Sequence, residues 1–425
     1  MRIVIAPSGF KESLSAEQVA AGIARGARRV VPDAVIDPLP LVDGGEGSAA
    51  ALARTTGGRI VPAVTTGPAG RPVGSHFAIM GGPGPRTAVV EMAATAGLRL
   101  VPRDERDPGR TTTAGVGELI AAALDAGAER ILVGCGDSGT SDGGAGALRA
   151  LGARLLDAHG NDLPPGGAAL AGLDRIDPSG LDPRLWRTEL LVACNPCNVL
   201  CGPEGVARVY GPQKGAAPDQ VDALDRALAR WADVLERDLR VPAGLDVRTG
   251  PGTGASGGLG AGLAAVGARL LPRFEVLLAH VDLDGLLARA DLVITAEGAI
   301  DRQTSRGKIP SEVARRAKRY GKPVLALAGT IGRDAHLVYG SGIDAFAGIL
   351  PAPVDLAEAM SRGEEFLADG AERALRMVLL GAALDRAVLD QTAAGSGVLR
   401  AAPVSASVPA GAGAASEVSS AGAAL

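Results

Sequence analysis

Asp291-Leu-Val-Ile-Thr-Ala-Glu297-Gly-Ala-Ile-Asp301-Arg-Gln303-Thr304-Ser-Arg-Gly-Lys308-Ile-Pro310 decides how the rest of this chain is read. A short apolar strand runs into a single loop holding a glutamate, an aspartate, a glutamine, a threonine and a lysine. A helix is expected to begin at the proline, the residue favoured in a first helical turn. Open α/β proteins place their chemistry in loops at the carboxyl ends of strands. Carboxylates beside a lysine are the groups that chemistry on a magnesium-bound nucleotide needs. The layout recurs at other strand ends, so the chain reads as an α/β enzyme handling phosphate.

Working outward, Arg2 to Ala6 reads as a strand, and Ser15 with Gln18 three residues on as a capping box. Val19, Ile23 and Val30 give the following helix its apolar face. A strand near Ala34 to Asp37 leads into Asp43-Gly-Gly-Glu46-Gly, then a small-residue helix ending at Thr56-Gly57-Gly58. Strand–loop–helix twice over predicts a parallel sheet. From 61 to 101 the pattern changes to short β pieces between Gly-Pro turns, a hairpin-rich insertion or the start of a second domain. Alternation then returns, with strands at Arg130 to Val133, Glu189 to Ala193 and Pro323 to Leu327. Helices are expected over Pro218 to Asp238, Ser311 to Tyr320 and Ala371 to Val388. The Ala/Gly/Ser-rich segment 393–425 is expected to be a disordered tail.

A chain of 425 residues is too long for one ordinary core, so two domains are expected. The net charge of −4 and the lack of a basic block argue against nucleic acid. An aromatic content of 2% removes the stacking platforms of a single-strand binder. No apolar run reaches the length of a membrane span, and the amino terminus lacks the features of a signal peptide. The expected location is the cytoplasm, as a monomer or homodimer without a membrane partner.

Gly134, Gly136 and Gly139 satisfy G-x-G-x-x-G after a strand, with Asp157 near the place of a ribose-binding acid. A dinucleotide fingerprint is one reading. Phosphate cradling by backbone N–H groups is preferred to this and to a merely tight turn, because Asp142 and the pair Gly143-Gly144 interrupt a smooth helix start. Asp43 and Glu46 can hold magnesium, or serve as solvated acids at a helix start. Lys214 in Gly-Pro-Gln213-Lys-Gly, Lys11 and Lys308 are candidate contacts for phosphate or carboxylate. No P-loop and no histidine ligand spacing is found. Cys194, Cys197 and Cys201 form C-x2-C-x3-C, which with Cys135 could hold zinc or an iron–sulfur cluster; the preferred reading is free cysteines as small buried hydrophobes at strand ends.

Taken together, Ile5-Ala-Pro-Ser-Gly-Phe-Lys11-Glu-Ser-Leu-Ser15, Asp43-Gly-Gly-Glu46-Gly, Gly211-Pro-Gln-Lys214-Gly-Ala and Thr295-Ala-Glu297 through Lys308-Ile-Pro resemble the bacterial type I glycerate kinases, over about residues 1 to 380. The stretch Gly257-Gly-Leu-Gly260 fits as well. The resemblance implies a two-domain α/β enzyme with its active site in the cleft. One domain, 1–63 with 286–390, is expected to be Rossmann-like, and the other, 64–285, flavodoxin-like. The implied reaction converts ATP and D-glycerate, with magnesium, to 2-phosphoglycerate and ADP. Other small hydroxy acids as acceptor, an NAD(P)-dependent oxidoreductase and a non-catalytic binding protein on the same scaffold are the alternatives.

For this reaction Asp43, Lys11, Glu297, Asp301 and Lys214 are the expected catalytic groups. Gly136, Ser138, Thr140, Asp142, Gly143, Gly257, Gly258, Gln303, Thr304 and Lys308 are expected to bind ATP. Lys11, Asn195, Gln213 and Lys214 are expected at the substrate, and Asp43, Glu46, Glu297 and Asp301 at Mg2+. The chain departs from the family pattern at Ser8 and Asn195, where the family has an acid, and at Asp137, where it has a glycine.

Overall fold

Alternating apolar residues set the two larger sheets, beside which a third pairs only two strands. The computed structural model describes residues 1–10 and 13–394. Its first strands are β1 (Arg2–Ile5), β2 (Val35–Pro38), β3 (Arg59–Thr66), β4 (Pro72–Ile79) and β5 (Thr87–Glu91). Next come β6 (Arg130–Gly134), β7 (Arg154–Leu156), β8 (Arg175–Asp177), β9 (Glu189–Cys194) and β10 (Arg269–Pro272). The last three are β11 (Leu292–Ile300), β12 (Val324–Ile331) and β13 (Ala345–Gly348).

Five strands form an all-parallel sheet in the order β13-β12-β11-β1-β2. Ile3 and Ile5 of β1 join Leu292 and Ile294 in a core on one face, while Val4 and Val293 join a core on the other. That is the period-2 alternation of a strand buried on both sides. Helix Ala16–Val30 lays Val19 and Ile23 on the first of these faces. It starts as expected, with Ser15 and Gln18 closing a capping box.

The second sheet runs β10-β9-β6-β5-β4-β3, with β3 and β4 antiparallel at its edge and the other four strands parallel. The change of character after residue 61 is therefore an antiparallel edge that β5 joins to a parallel sheet. One face packs into the largest core, around Trp231, Leu119 and Ile131. On the other face, Val89, Leu132 and Leu191 meet Ala49 and Leu52 of helix Ser48–Thr56. That helix follows β2 in sequence yet covers the second sheet. The crossing between sheets thus falls in the loop before Ser48, and β3 opens the second sheet at Arg59, within the segment 1–63 expected to stay with the first.

Two boundaries differ from expectation. β11 continues past Glu297 to Ile300, because β12 pairs alongside it as far as Ile300↔Ile331. Glu297 is a strand residue, not a loop residue. The closing helix runs Gly363–Ala394, longer than Ala371 to Val388, since no glycine or proline interrupts residues 382–394. It takes in residues 393 and 394 of the expected tail, and 395–425 lie outside the described residues. The chain divides into two units, Met1–Leu375, which holds both sheets, and the part from Arg376 on. Among the described residues no helix is long and apolar enough to cross a membrane.

Candidate active site

Counted within its own sheet, the all-parallel order is 2-1-3-4-5, and the connections reverse direction between β1 and β11. The crevice outside the carboxyl ends at such a switch point is where open α/β sheets bind ligands. Ser8, just past β1, donates its N–H to Ala296 O at 2.9 Å and its hydroxyl to the same oxygen at 3.1 Å. One residue further along β11 stands Glu297.

Glu297 is the acid of a small cluster. Lys308 Nζ lies 2.7 Å from its Oε1, and the Thr304 hydroxyl donates to its Oε2 at 3.1 Å. Asp301 stands beside them, its Oδ1 4.0 Å from Lys308 Nζ and accepting the N–H groups of Gln303 and Thr304. Burial raises the Glu297 pKa; Lys308 and Thr304 oppose that, and the charge of Asp43 adds to it. Asp43 and Glu297 therefore sense each other although they leave different strands. Pro310 enters helix Ile309–Arg319 in its first turn, which sets Lys308 at the helix start. Gln303 is exposed and Thr304 is buried, so only the threonine faces the acid.

Asp43 is held from the second sheet. Arg273, the residue after β10, donates from Nη1 to Asp43 Oδ2 at 3.0 Å and from Nη2 to Gly307 O at 2.6 Å. Backbone contact between the sheets is equally close, since a Cβ on Gly136 would lie 2.6 Å from Gly45. Asp137, with φ 51°, accepts the Glu46 N–H at 3.1 Å. A left-handed backbone suits the glycine of the family pattern, and aspartate is among the few residues that tolerate it. Glu46 turns its own carboxylate to Arg99, 3.0 Å away. Asn195, just past β9, donates to Arg306 O at 2.9 Å and accepts the Cys197 N–H. An aspartate at 195 has no proton to give that carbonyl when ionised.

The glycine loops interlock beside this cluster. Gly143 N–H donates to Gly257 O at 3.0 Å, and Ser256, Gly257 and Gly258 are left-handed in succession. Gly136, Ser138, Thr140, Gly143, Gly257 and Gly258 thus belong to one assembly, in which the Thr140 and Ser141 hydroxyls are buried without a partner among the described residues. Asp142 is fully buried and spends its carboxylate on Thr113 and on the N–H groups of Gly144 and Gly146. Lys214 is also buried, donating to Ser138 Oγ at 2.9 Å and Thr140 O at 2.6 Å, and burial lowers its pKa to about 7. These two charged residues brace the loop from within, while Gln213 is exposed. Lys11 lies outside the described residues.

Glu91 and Arg273 escaped the sequence reading. Glu91 ends β5 and accepts the N–H groups of Gly47 and Ala49, both at 3.0 Å, capping helix Ser48–Thr56 from another element. Burial pushes its pKa up to about 7. An acid ending the apolar run Ala88-Val-Val-Glu91, and an arginine after Leu270-Leu-Pro272, were the available signals. Three of the four cysteines sit in the core as small buried side chains. Cys135, Cys194 and Cys201 are free and buried, Cys197 is free and exposed, and among the described residues no three His, Cys, Asp or Glu side chains converge on a metal position.

The fold and site define an α/β protein with a carboxylate–lysine cluster at strand ends and glycine-rich loops closing on it from a second sheet. The sequence pattern of the glycerate kinase family matches residues 3–379, and the chain belongs to that family. It is 50% identical over 368 residues to a glycerate kinase of Bacillus subtilis (strain 168), covering 86% of this chain and 95% of that one. It is 46% identical over 360 residues to a glycerate 2-kinase of Escherichia coli (strain K12), covering 84% and 93%. A crystal structure from Salmonella typhimurium LT2, of a protein assigned as glycerate kinase 2, superposes with a TM-score of 0.70 at 46% identity, over 90% of this chain and 99% of the other.

Proposed function

We propose that this chain is an ATP-dependent glycerate kinase that transfers the γ-phosphoryl group to the 2-hydroxyl of D-glycerate, giving 2-phosphoglycerate and ADP. The observation that carries the reading is the Glu297–Lys308–Thr304 cluster at the switch point, electrostatically coupled to Asp43, in a chain of this family. Phosphoryl transfer asks chiefly for alignment and charge neutralisation. The acceptor oxygen bonds to phosphorus, the bond to the ADP oxygen breaks, and the hydroxyl proton passes to a carboxylate.

In this reading Glu297 or Asp43 takes that proton, and Lys308 meets anionic oxygens. The interlocked loops at 136–144 and 256–258 receive the phosphates on backbone N–H groups. Lys214 and Asp142 act by keeping that cradle rigid. Asn195 acts on the 306–307 backbone more directly than on the acceptor.

The residues suit magnesium. Mg2+ is commonly held by one or two carboxylates together with phosphate oxygens, not by an all-protein cage. Asp43 and Glu297, two acids close enough to interact, are the residues that would hold it, with Asp301 and Glu46 further out. When bound it neutralises charge on the phosphates.

We also infer that the flavodoxin-like type belongs to the first domain and not, as expected, to the second. The 2-1-3-4-5 order supports a flavodoxin-like assignment for the sheet built from residues 1–38 and 292–348, and the mixed six-stranded sheet does not follow the 3-2-1-4-5-6 Rossmann order. ADP release from Mg-ATP by the purified chain tests the function, comparing D-glycerate, L-glycerate and no acceptor. D-glycerate-dependent release is expected, and equal release in all three arms would refute the assignment.

A further inference from the structure

The first-sheet loops that carry Asp43 and Lys308 meet at one second-sheet side chain. Arg273 is 8% exposed and leaves the end of β10. Nη1 reaches Asp43 twice, at Oδ2 (3.0 Å) and at the backbone oxygen (3.4 Å), and Nη2 reaches Gly307 O, immediately before Lys308. Its Nε is buried and has no partner among the described residues. Asn195 grips the neighbouring carbonyl, Arg306 O, from the end of the adjacent strand β9. Two consecutive carbonyls of the lysine loop are therefore held by donors from two adjacent strands of the other sheet. A guanidinium does this well, because its planar fork directs several N–H groups at fixed angles and stays charged when buried.

Resting on the glycerate kinase reading above, we propose that Arg273 is a positioning residue for phosphoryl transfer, locking the Asp43 loop and the Lys308 loop into one geometry from the opposite sheet. Arg273 touches neither reactant in this account. Its work is to fix the separation between Asp43 and the Glu297–Lys308 pair. Nη1 and Nη2 are already engaged by the Asp43 loop and by Gly307 O, and Nε is sealed from solvent. Neutral replacement removes the Arg273 charge from beside Asp43 and the Arg273 donor from Gly307 O.

The test measures kcat and the KM values for D-glycerate and Mg-ATP in the parent, R273A, R273K, D43N and the R273A/D43N double variant, beside thermal denaturation of each. R273A is expected to lose about 100-fold in kcat, the order of effect for reacting groups displaced by about an ångström, with the KM for Mg-ATP within a few-fold of the parent. R273K should recover part of the loss, since an ammonium can meet Asp43 but does not present the planar fork. On the D43N background the same arginine removal should cost far less, because the partner it positions is already altered. Equal losses on both backgrounds would overturn the proposal, as would R273A and R273K at parental kcat. If R273A does not fold, R273K carries the test: an unchanged kcat overturns the role, and a reduced kcat at parental melting temperature supports it. A parent that does not phosphorylate glycerate removes the underlying function instead, an outcome distinct from an active parent indifferent to Arg273.

Discussion

Glu297 shows how one residue gathers burial, charge and hydrogen bonding at a strand end. Its carboxylate is nearly covered, paired with Lys308, bonded by Thr304 and pressed by the charge of Asp43. Glu297→Gln keeps the shape but removes the negative charge and the capacity to take a proton. Its turnover should fall by about 100-fold or more, the scale of a lost general base, and steady-state kinetics at saturating Mg-ATP and D-glycerate would measure it. Lys214 makes a different prediction. Burial lowers its folded pKa from 10.5 to about 7, so between those values the unfolded chain binds more protons than the folded one. Its contribution to stability is present above 10.5 and is lost as pH falls toward 7. Denaturation midpoints followed from pH 7 to pH 10 should rise from this source, and Lys214→Met should flatten the rise.

At the scale of elements, the left-handed turn Ser256–Gly258 locks two loops together. A Cβ on Gly257 would stand 2.0 Å from Thr140 O, with φ already at 70°, so Gly257→Ala cannot be absorbed locally. Gly257→Ala should weaken Mg-ATP binding by about tenfold and lower stability by about 1–3 kcal/mol, read by calorimetric titration and urea denaturation. Local structure of this kind was largely legible in the sequence. The Ser15 capping box, the glycine loops and the acid–lysine loop after β11 all declared themselves through neighbouring residues. Glu91 was not legible, because it caps a helix from 42 positions away. Nor was the inward turn of Asp142 and Lys214, since a charged residue in a polar loop reads the same whether it faces ligand or core. The far end of β11 was hidden too: Glu297 extends the strand only because β12 pairs alongside.

Across the molecule, an all-parallel sheet and a mixed sheet bring the carboxyl ends of parallel strands to one place, joined by the Asp43 loop and by Arg273. The sequence announced strand ends bearing acids and lysines, but not which ends would meet. Long-range contacts also involve the residues that depart from the family pattern, two of them between the sheets and one within the first. Ser8 bonds across the switch point, Asp137 receives the Glu46 amide, and Asn195 donates where an ionised aspartate has nothing to donate. All three have structural work in this chain, and the account predicts that they leave the choice of acceptor hydroxyl intact. Phosphorus NMR of the product from Mg-ATP and D-glycerate tests that central claim most directly. Phosphate on the secondary oxygen couples to one proton and gives a doublet, the result expected here. A triplet from phosphate on the primary oxygen, or no acceptor-dependent product from folded protein, would contradict it.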